Sequence, residues 1–449
     1  ICKMIPETLN IKLKEALEES AELSEAYQND AQVSEMLDLA MKIEGLARSA
    51  GTHAAGVVVA DEPISKYIPL QTITGKTDII TQWDGPTVEE VGLLKMDFLG
   101  LRNLTILDKA IQNVKNHHPH QQEIDPLKFP LDDPETCELL QRGETNGIFQ
   151  LETGGMLDLL QKMKHENFHD IIATTAMKRP GPLEGGMVMT YVEVKHGRMA
   201  TPKVHPFVYE ILEETYGVIV YQEQVMEIAT RVAGFSMGES DTLRRAMGKK
   251  DMAEMNRNRD AFVSGAKERG IGKEKAKEIY HLIKQFAEYG FNKSHSAAYA
   301  MVAYQTAYLK AHYPTEYMAA LLTSEKDRTD KLIRYIHHCQ ESNIPVDPPD
   351  INESDRDFKV CSHRIRFGMG AVKNIGDAAV ESILAARQEE GPFRTLYDLC
   401  SRVDQKNVHR RVIESQIKTG AIYYHSERQR SAMLHPTRDS LERARRVQA

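Results

Sequence analysis

Gly92-Leu93-Leu94-Lys95-Met96-Asp97-Phe98-Leu99 sets one acid and one base inside a run that is otherwise apolar. Such a run suits a buried strand, and an unpaired carboxylate there costs several kcal/mol unless a cation or strong hydrogen bonds compensate it. Strand alternation puts Lys95 and Asp97 on one face. Two readings follow. Either the residues form an ion pair at a strand end, or Asp97 is a metal-binding carboxylate beside a phosphate-binding lysine, as two-metal phosphoryl transfer requires.

Working outward, Gly56-Val57-Val58-Val59-Ala60 and Asp78-Ile79-Ile80-Thr81-Gln82-Trp83 are also β-like, and Gly75 and the Asp84-Gly85-Pro86 turn separate the runs. Together they predict one small sheet. Upstream, Leu9, Leu13 and Leu17, then Val33, Met36, Leu37, Ala40 and Ile43, recur at helical spacing on either side of an Asn29-Asp30 turn. Downstream, helical periodicity runs from Leu104 to about 340, broken at Arg179-Pro180-Gly181-Pro182 and near His205-Pro206. The proline-rich Ile344–Asn352 stretch cannot be helical and reads as a boundary. A short β-like piece and further helices follow, ending in a charged helix from Arg438 that reads as cut short. The fold class expected is mainly α with a small mixed β-sheet (α+β).

The 449 residues suffice for two to four domains, and 41% hydrophobic composition supports real cores. No apolar run is long enough to span a membrane, and a start on Ile1 with no signal-peptide pattern reads as a fragment. The five cysteines are scattered without a C-x-x-C pair, which suits a reducing cytosol. The pairs His117-His118 and His337-His338 lack the spacing of helical metal ligands and read as surface histidines. Net charge is −8, yet residues 241–310 hold 14 Lys/Arg against 8 Asp/Glu, whereas 1–50 hold 5 against 10. The basic stretch is compatible with a phosphate-facing groove and equally with a solvated helical face.

Several long motifs in register resemble the C-family bacterial replicative DNA polymerases, from near the start to about Gly420. The stretch from Gly92 to Ile106 resembles the palm motif that carries the third catalytic aspartate, and the stretch from Ser49 to Val59 the palm just after the thumb. Gly147-Ile-Phe-Gln-Leu-Glu152, the Lys178–Leu183, Thr215–Met226 and Leu243–Lys250 stretches, and that from Tyr289 to Tyr299, resemble the fingers. The resemblance implies a thumb remnant at 1–50, a partial nucleotidyltransferase-type palm at 51–103, large helical fingers at 104–345, and a helix-hairpin-helix region with a truncated tail at 346–449. It implies cytoplasmic, template-dependent deoxynucleotidyl transfer to a primer 3′ end, with Mg²⁺ at Asp97 and Lys95 beside it in the catalytic centre. Primer-template DNA and deoxynucleoside triphosphates are the implied partners. A sliding clamp, a proofreading exonuclease and a clamp loader are implied through regions mostly outside this chain. The family's Pro-Asp-x-Asp-x-Asp-type motif is not found, so this chain alone is expected to be inactive. The alternative is a non-catalytic DNA- or nucleotide-binding fragment.

Arg244, Arg245, Lys249 and Lys250 form a basic cluster around a small-residue turn, Ala246-Met247-Gly248, and the P-loop pattern fails because Leu243 and Lys250 occupy its end positions. The cluster is either a solvated basic helix end or a triphosphate site, and the resemblance favours the triphosphate. Lys293, His295 and Tyr299 precede or open a long helix ending before Pro314, with Ser294 or Ser296 as its cap. Tyr299, Tyr304 and Tyr308 read as core aromatics, or Tyr299 stacks on the nascent base pair while His295 and Lys293 reach phosphate or sugar; the resemblance implies this nucleotide-binding face of the fingers. Finally, Val372-Lys373-Asn374-Ile375-Gly376 reads as the turn of a helical hairpin. It is either structural or a site where backbone N–H groups meet a DNA phosphate.

Overall fold

The computed structural model describes all 449 residues except 3, 7–10, 47–50, 54, 74, 76, 99, 179–185, 203, 250–251, 287–289, 423–432, 435–436 and 449. The chain divides into two units, Ile1–Gly100 and Leu101–Ala449. It is mainly helical with small sheets, as expected. No helix among the described residues is long and apolar enough to cross a membrane, and all five cysteines are free.

In the first unit, helices Leu13–Glu19, Ala21–Asn29 and Ala31–Ile43 pack on Ala16, Leu23 and Leu37. The expected break at Asn29-Asp30 has a local cause. The Asp30 carboxylate accepts the N–H groups of Gln32 and Val33 and so caps the third helix. The β-like runs form two separate antiparallel ribbons, which corrects the single sheet expected. Strand β1 (Gly56–Val59) pairs with β4 (Leu94–Asp97), and β2 (Leu70–Thr72) with β3 (Ile79–Thr81). Asp84-Gly85-Pro86 is a helix start, not a turn. Asp84 accepts the Thr87 N–H, and Pro86 needs no donor there, so Gly85–Glu90 is helical.

That helix also explains a second correction. It lies along the ribbon face that carries Val58 and Lys95, where Val88, Ile68 and Leu93 make a small core. Covered by one short helix, the ribbon buries only one face. Val57, Val59, Leu94 and Met96 occupy the other, and Leu94 is 58% exposed. The strand is therefore not a buried one.

The second unit contains four clusters of core residues. The long Lys293–His312 helix runs through the first, against Phe168–Met177 and Pro134–Arg142. It stops where Pro314 opens the Pro314–Ser324 helix. A second core joins helices Gln222–Ala233, Met237–Lys249, Met252–Glu268 and Lys273–Phe286. A third links helices Arg102–His117, Pro314–Ser324 and Thr329–Glu341 to a three-stranded sheet of order β5 (Val346–Asp347), β7 (Arg364–Arg366), β6 (Lys359–Cys361). The fourth gathers Asp377–Glu390, Leu396–Arg402, Arg410–Thr419 and Thr437–Gln448. The Arg179–Pro182 break lies outside the described residues.

The histidine pairs differ from expectation in one respect. His337 is exposed, but His338 is only 8% exposed and contributes to the helix's inner face. His117 and His118 are tied down locally, to the Asn113 and Val360 carbonyls and to the Glu316 carboxylate.

Candidate active site and nucleic-acid interface

Asp97 ends β4 with its carboxylate 52% exposed. Lys95 Nζ donates to both carboxylate oxygens, at 2.8 and 2.9 Å. His53 completes the corner with Nδ1 3.6 Å from Asp97 Oδ1. That nitrogen accepts the Ala55 N–H, while the Phe98 N–H donates to the Ala55 carbonyl. Opposite Asp97 in the ladder sits Gly56, where an added Cβ would lie 2.9 Å from His53 Nδ1 and 3.2 Å from Asp97 Oδ1. Only glycine leaves room for both side chains. The hydrogen bond from Lys95, then its charge, hold the Asp97 carboxyl below its usual range despite partial desolvation. His53 was not singled out from sequence, although it lies in the Ser49–Val59 stretch that carried the resemblance.

The corner offers one carboxylate, with an ammonium across both oxygens. Among the described residues no group of three or more His, Cys, Asp or Glu side chains could hold a metal ion. The donors at this corner do not by themselves fit a divalent ion.

Arg244 and Arg245 lie on the Met237–Lys249 helix, which runs unbroken through Ala246, Met247 and Gly248. The expected small-residue turn is absent because Ala246 and Met247 are buried in the core beneath. Asp241, at i−3 and i−4, receives both guanidinium groups. Arg244 Nε reaches one oxygen at 2.8 Å and Arg245 Nε the other at 2.7 Å. These bonds hold the Asp241 carboxyl below its usual range. Arg245 remains 67% exposed and Arg244 34%. Lys249 closes the helix backbone. Its side chain, and Lys250, lie outside the described residues.

The Lys293–His312 helix is capped by Asn292, whose side-chain oxygen accepts the His295 N–H at 2.8 Å, rather than by Ser294 or Ser296. Ser296 is buried and donates to the Ile172 carbonyl instead. Lys293 Nζ donates to both oxygens of Glu214, at 2.7 Å each. The exposed His295 ring stacks on Tyr299 at 4.5 Å and meets Phe291 edge-on, and Tyr299 stacks in turn on Phe149. Tyr304 is fully buried and Tyr308 stacks on Phe129, so those two are packing residues.

Two motif stretches meet at Lys178, whose Nζ donates to Thr153 Oγ1 at 2.6 Å and to the Gln150 carbonyl at 3.4 Å. Close by in sequence, Glu152 accepts from the Gly147 N–H, the Tyr335 hydroxyl, Lys331 and Arg334. Burial opposes its ionisation, but the Tyr335 hydrogen bond and the two cations outweigh it. Glu214 and Glu152 carried no sequence signal as partners, because their pairings depend on how separate elements pack, whereas Asp241 stands at i−3 and i−4 from its arginines on one helix.

In the last module the first element of the hairpin is a single 3₁₀ turn, Met369–Ala371, rather than a full helix. Asn374 takes φ +71°, and the chain turns into the Asp377–Glu390 helix at Gly376. Lys373, Asn374 and Gly376 are exposed. Ile375 is buried with Val372, and its N–H donates to the Val372 carbonyl, so it anchors the turn.

Comparison with known proteins defines the class. The profile of the bacterial DNA polymerase III alpha subunit finger domain matches residues 103–270, and that of the bacterial DNA polymerase III alpha NTPase domain matches 1–100. A helix-hairpin-helix profile matches 343–432. The DNA polymerase III subunit alpha of Thermus aquaticus is 47% identical over 93% of this chain and 34% of that protein. Those of Haemophilus influenzae and Escherichia coli K12 are 46% and 43% identical over 94% and 99% of the chain. The chain belongs to the bacterial DNA polymerase III alpha-subunit family. It spans between a third and two fifths of the length of these relatives.

Proposed function

We propose that this chain is the thumb–palm–fingers–hairpin part of a replicative DNA-directed DNA polymerase, which transfers deoxynucleotides to a primer 3′ end. In this reading residues 1–50 belong to the thumb, 51–103 to the palm, 104–345 to the fingers and 346–449 to the DNA-gripping region. The observation that carries it is the exposed Lys95–Asp97 pair at the end of β4, within the stretch that resembles the palm. Asp97 is the acid of the catalytic centre and Lys95 its electrostatic partner. A Mg²⁺ ion in the whole polymerase would need further carboxylates beyond this corner, since one carboxylate cannot hold two metals.

Arg244, Arg245 and Lys249 serve the incoming triphosphate, with Lys293, His295 and Tyr299 against its sugar and base. Binding of this kind works by positioning and charge neutralisation. Lys373, Asn374, Ile375 and Gly376 form the hairpin that meets the duplex backbone. Sliding clamp, proofreading exonuclease and clamp loader are partners of the whole polymerase, in the cytoplasm.

The single carboxylate supports a second reading for the chain taken alone, as a module that binds DNA or nucleotide without chemistry. Fluorescence anisotropy with primed DNA, paired with primer extension, tests both. The 449 residues alone are expected to bind primed DNA and not extend it, whereas the complete polymerase does both. Gly376 has φ −84° and nothing within 4 Å of an added Cβ, so Gly376→Leu should fold normally. It should weaken duplex binding equally on different sequences. A sequence-selective loss would contradict backbone recognition.

A further inference from the structure

A cleft of about 450 Å³ in the second unit is lined by Arg102, Lys109, Lys326 and Arg356, with Asp357 as the one acid among its walls. Thr105, Thr323 and Ser324 add hydroxyls, and Ser324 Oγ is buried without a hydrogen-bond partner. Three elements converge to build it. Arg102 and Lys109 come from the Arg102–His117 helix, Thr323, Ser324 and Lys326 from the end of the Pro314–Ser324 helix, and Arg356 and Asp357 from the loop before β6.

The internal pairings leave an excess of positive charge. Asp357 is shared by Lys109 at 2.6 Å and Lys326 at 3.3 Å. Arg102 reaches the Ser324 carbonyl and Glu325, but Glu325 is also contacted by Arg328 and Lys331. Arg356 pairs with Asp377. The four cations that line the cleft thus meet three carboxylates, Asp357, Glu325 and Asp377, and Arg102 and Arg356 are about half exposed. Guanidinium and ammonium groups converging on a cleft with hydroxyl donors suit a tetrahedral oxyanion.

The cleft is continuous with the hairpin. A Cβ added to Gly370, in the turn that opens the hairpin, would lie 2.9 Å from the Arg356 carbonyl and 3.4 Å from Lys326 Nζ. Asp377, the partner of Arg356, is the first residue of the helix that follows Gly376.

We propose that this cleft is a phosphate-binding site that holds a nucleic-acid backbone phosphate beside the one met by the hairpin. The proposal rests on the DNA-binding reading above and adds a site to it. Arg102 and Arg356, about half exposed beyond their bonds to Glu325 and Asp377, are the contacts that turn toward a ligand. Lys109 and Lys326 supply charge from the floor.

The test is duplex binding by the 449-residue chain across a salt series, wild type against Arg102→Gln/Arg356→Gln. Arg142→Gln is the control, removing one exposed cation paired with Glu138 and Glu144 elsewhere in the unit. Each neutralised phosphate contributes about 0.9 to the slope of log affinity against log salt. The double variant should lose about that much slope, with weaker binding on every sequence, while Arg142→Gln and the melting temperature stay near wild type. An unchanged slope with intact wild-type binding overturns the cleft and leaves the functional reading standing. A wild-type chain that binds no duplex overturns both. A parallel titration of inorganic phosphate, read by ³¹P line broadening, separates the sources. Phosphate binding that the double variant abolishes, with duplex binding untouched, would make the cleft a site for a soluble phosphate and contradict the backbone assignment.

Discussion

Lys95 Nζ sits between the two carboxylate oxygens of Asp97, 2.8 and 2.9 Å away, across one face of a two-stranded ribbon. The ammonium both orients the carboxylate and stabilises its charge. Lys95→Met should therefore raise the Asp97 pKa toward the ordinary carboxylate range, because the leading cause of its depression is the hydrogen bond from Lys95. Carboxyl ¹³C shifts across a pH titration would show the change. An unmoved titration would mean that the pair does not form in solution.

Arg244 and Arg245 share Asp241, and each keeps exposed surface beyond that bond. In the complete polymerase, Arg244→Ala should raise the apparent KM for nucleotide by about 10- to 100-fold, the effect of losing one or two charge-assisted hydrogen bonds. Primer-template affinity should hold. Steady-state kinetics with unchanged nucleotide KM and kcat would remove Arg244 from the triphosphate site.

Gly147 takes φ +79°, and a Cβ there would overlap the Leu321 side chain. Both effects oppose any side chain, so Gly147→Ala should destabilise the chain by about 2–4 kcal/mol. Urea denaturation would detect this as a lower midpoint.

His165 is fully buried. One ring nitrogen bonds to Thr174 Oγ1 at 2.7 Å, the other has no partner, and the Asp170–Lys195 ion pair lies beside it. Burial pushes its pKa from the ordinary 6.5 down to about 4. The folded chain keeps it neutral while the unfolded chain protonates, so the unfolded state binds more protons in this window. Stability from this group is complete above about pH 6.5 and is lost as pH falls toward about 4, at up to about 1.4 kcal/mol per pH unit. His338, also pushed down to about 4 by burial, acts with the same sign. Urea midpoints at pH 7, 6 and 5 should fall less steeply in His165→Gln than in the parent chain; equal slopes would contradict the assignment.

Local chemistry made much of this legible from sequence. Asp30 announces a helix start through its own side chain, and Pro314 ends one helix and begins another for covalent reasons. Alternation correctly put Lys95 and Asp97 on one face. What sequence could not supply is what lies across from each element. Leu94 and Met96 look like core residues until the ribbon is seen to have one covered face. Gly248 looks like a turn until Ala246 and Met247 are found seated in a helical core. His53 joins Asp97 only through strand pairing, whereas Asp241 stands at i−3 and i−4 from its two arginines, a spacing the sequence already carries.

Asp97→Asn in the complete polymerase tests the central claim most directly, because amide replaces carboxylate with almost no change of shape. Single-turnover nucleotide incorporation should fall to background while the primer-template Kd stays within about twofold of wild type, the pattern of an interaction needed only in the transition state. Incorporation at the wild-type rate would contradict the assignment of Asp97 to the catalytic centre.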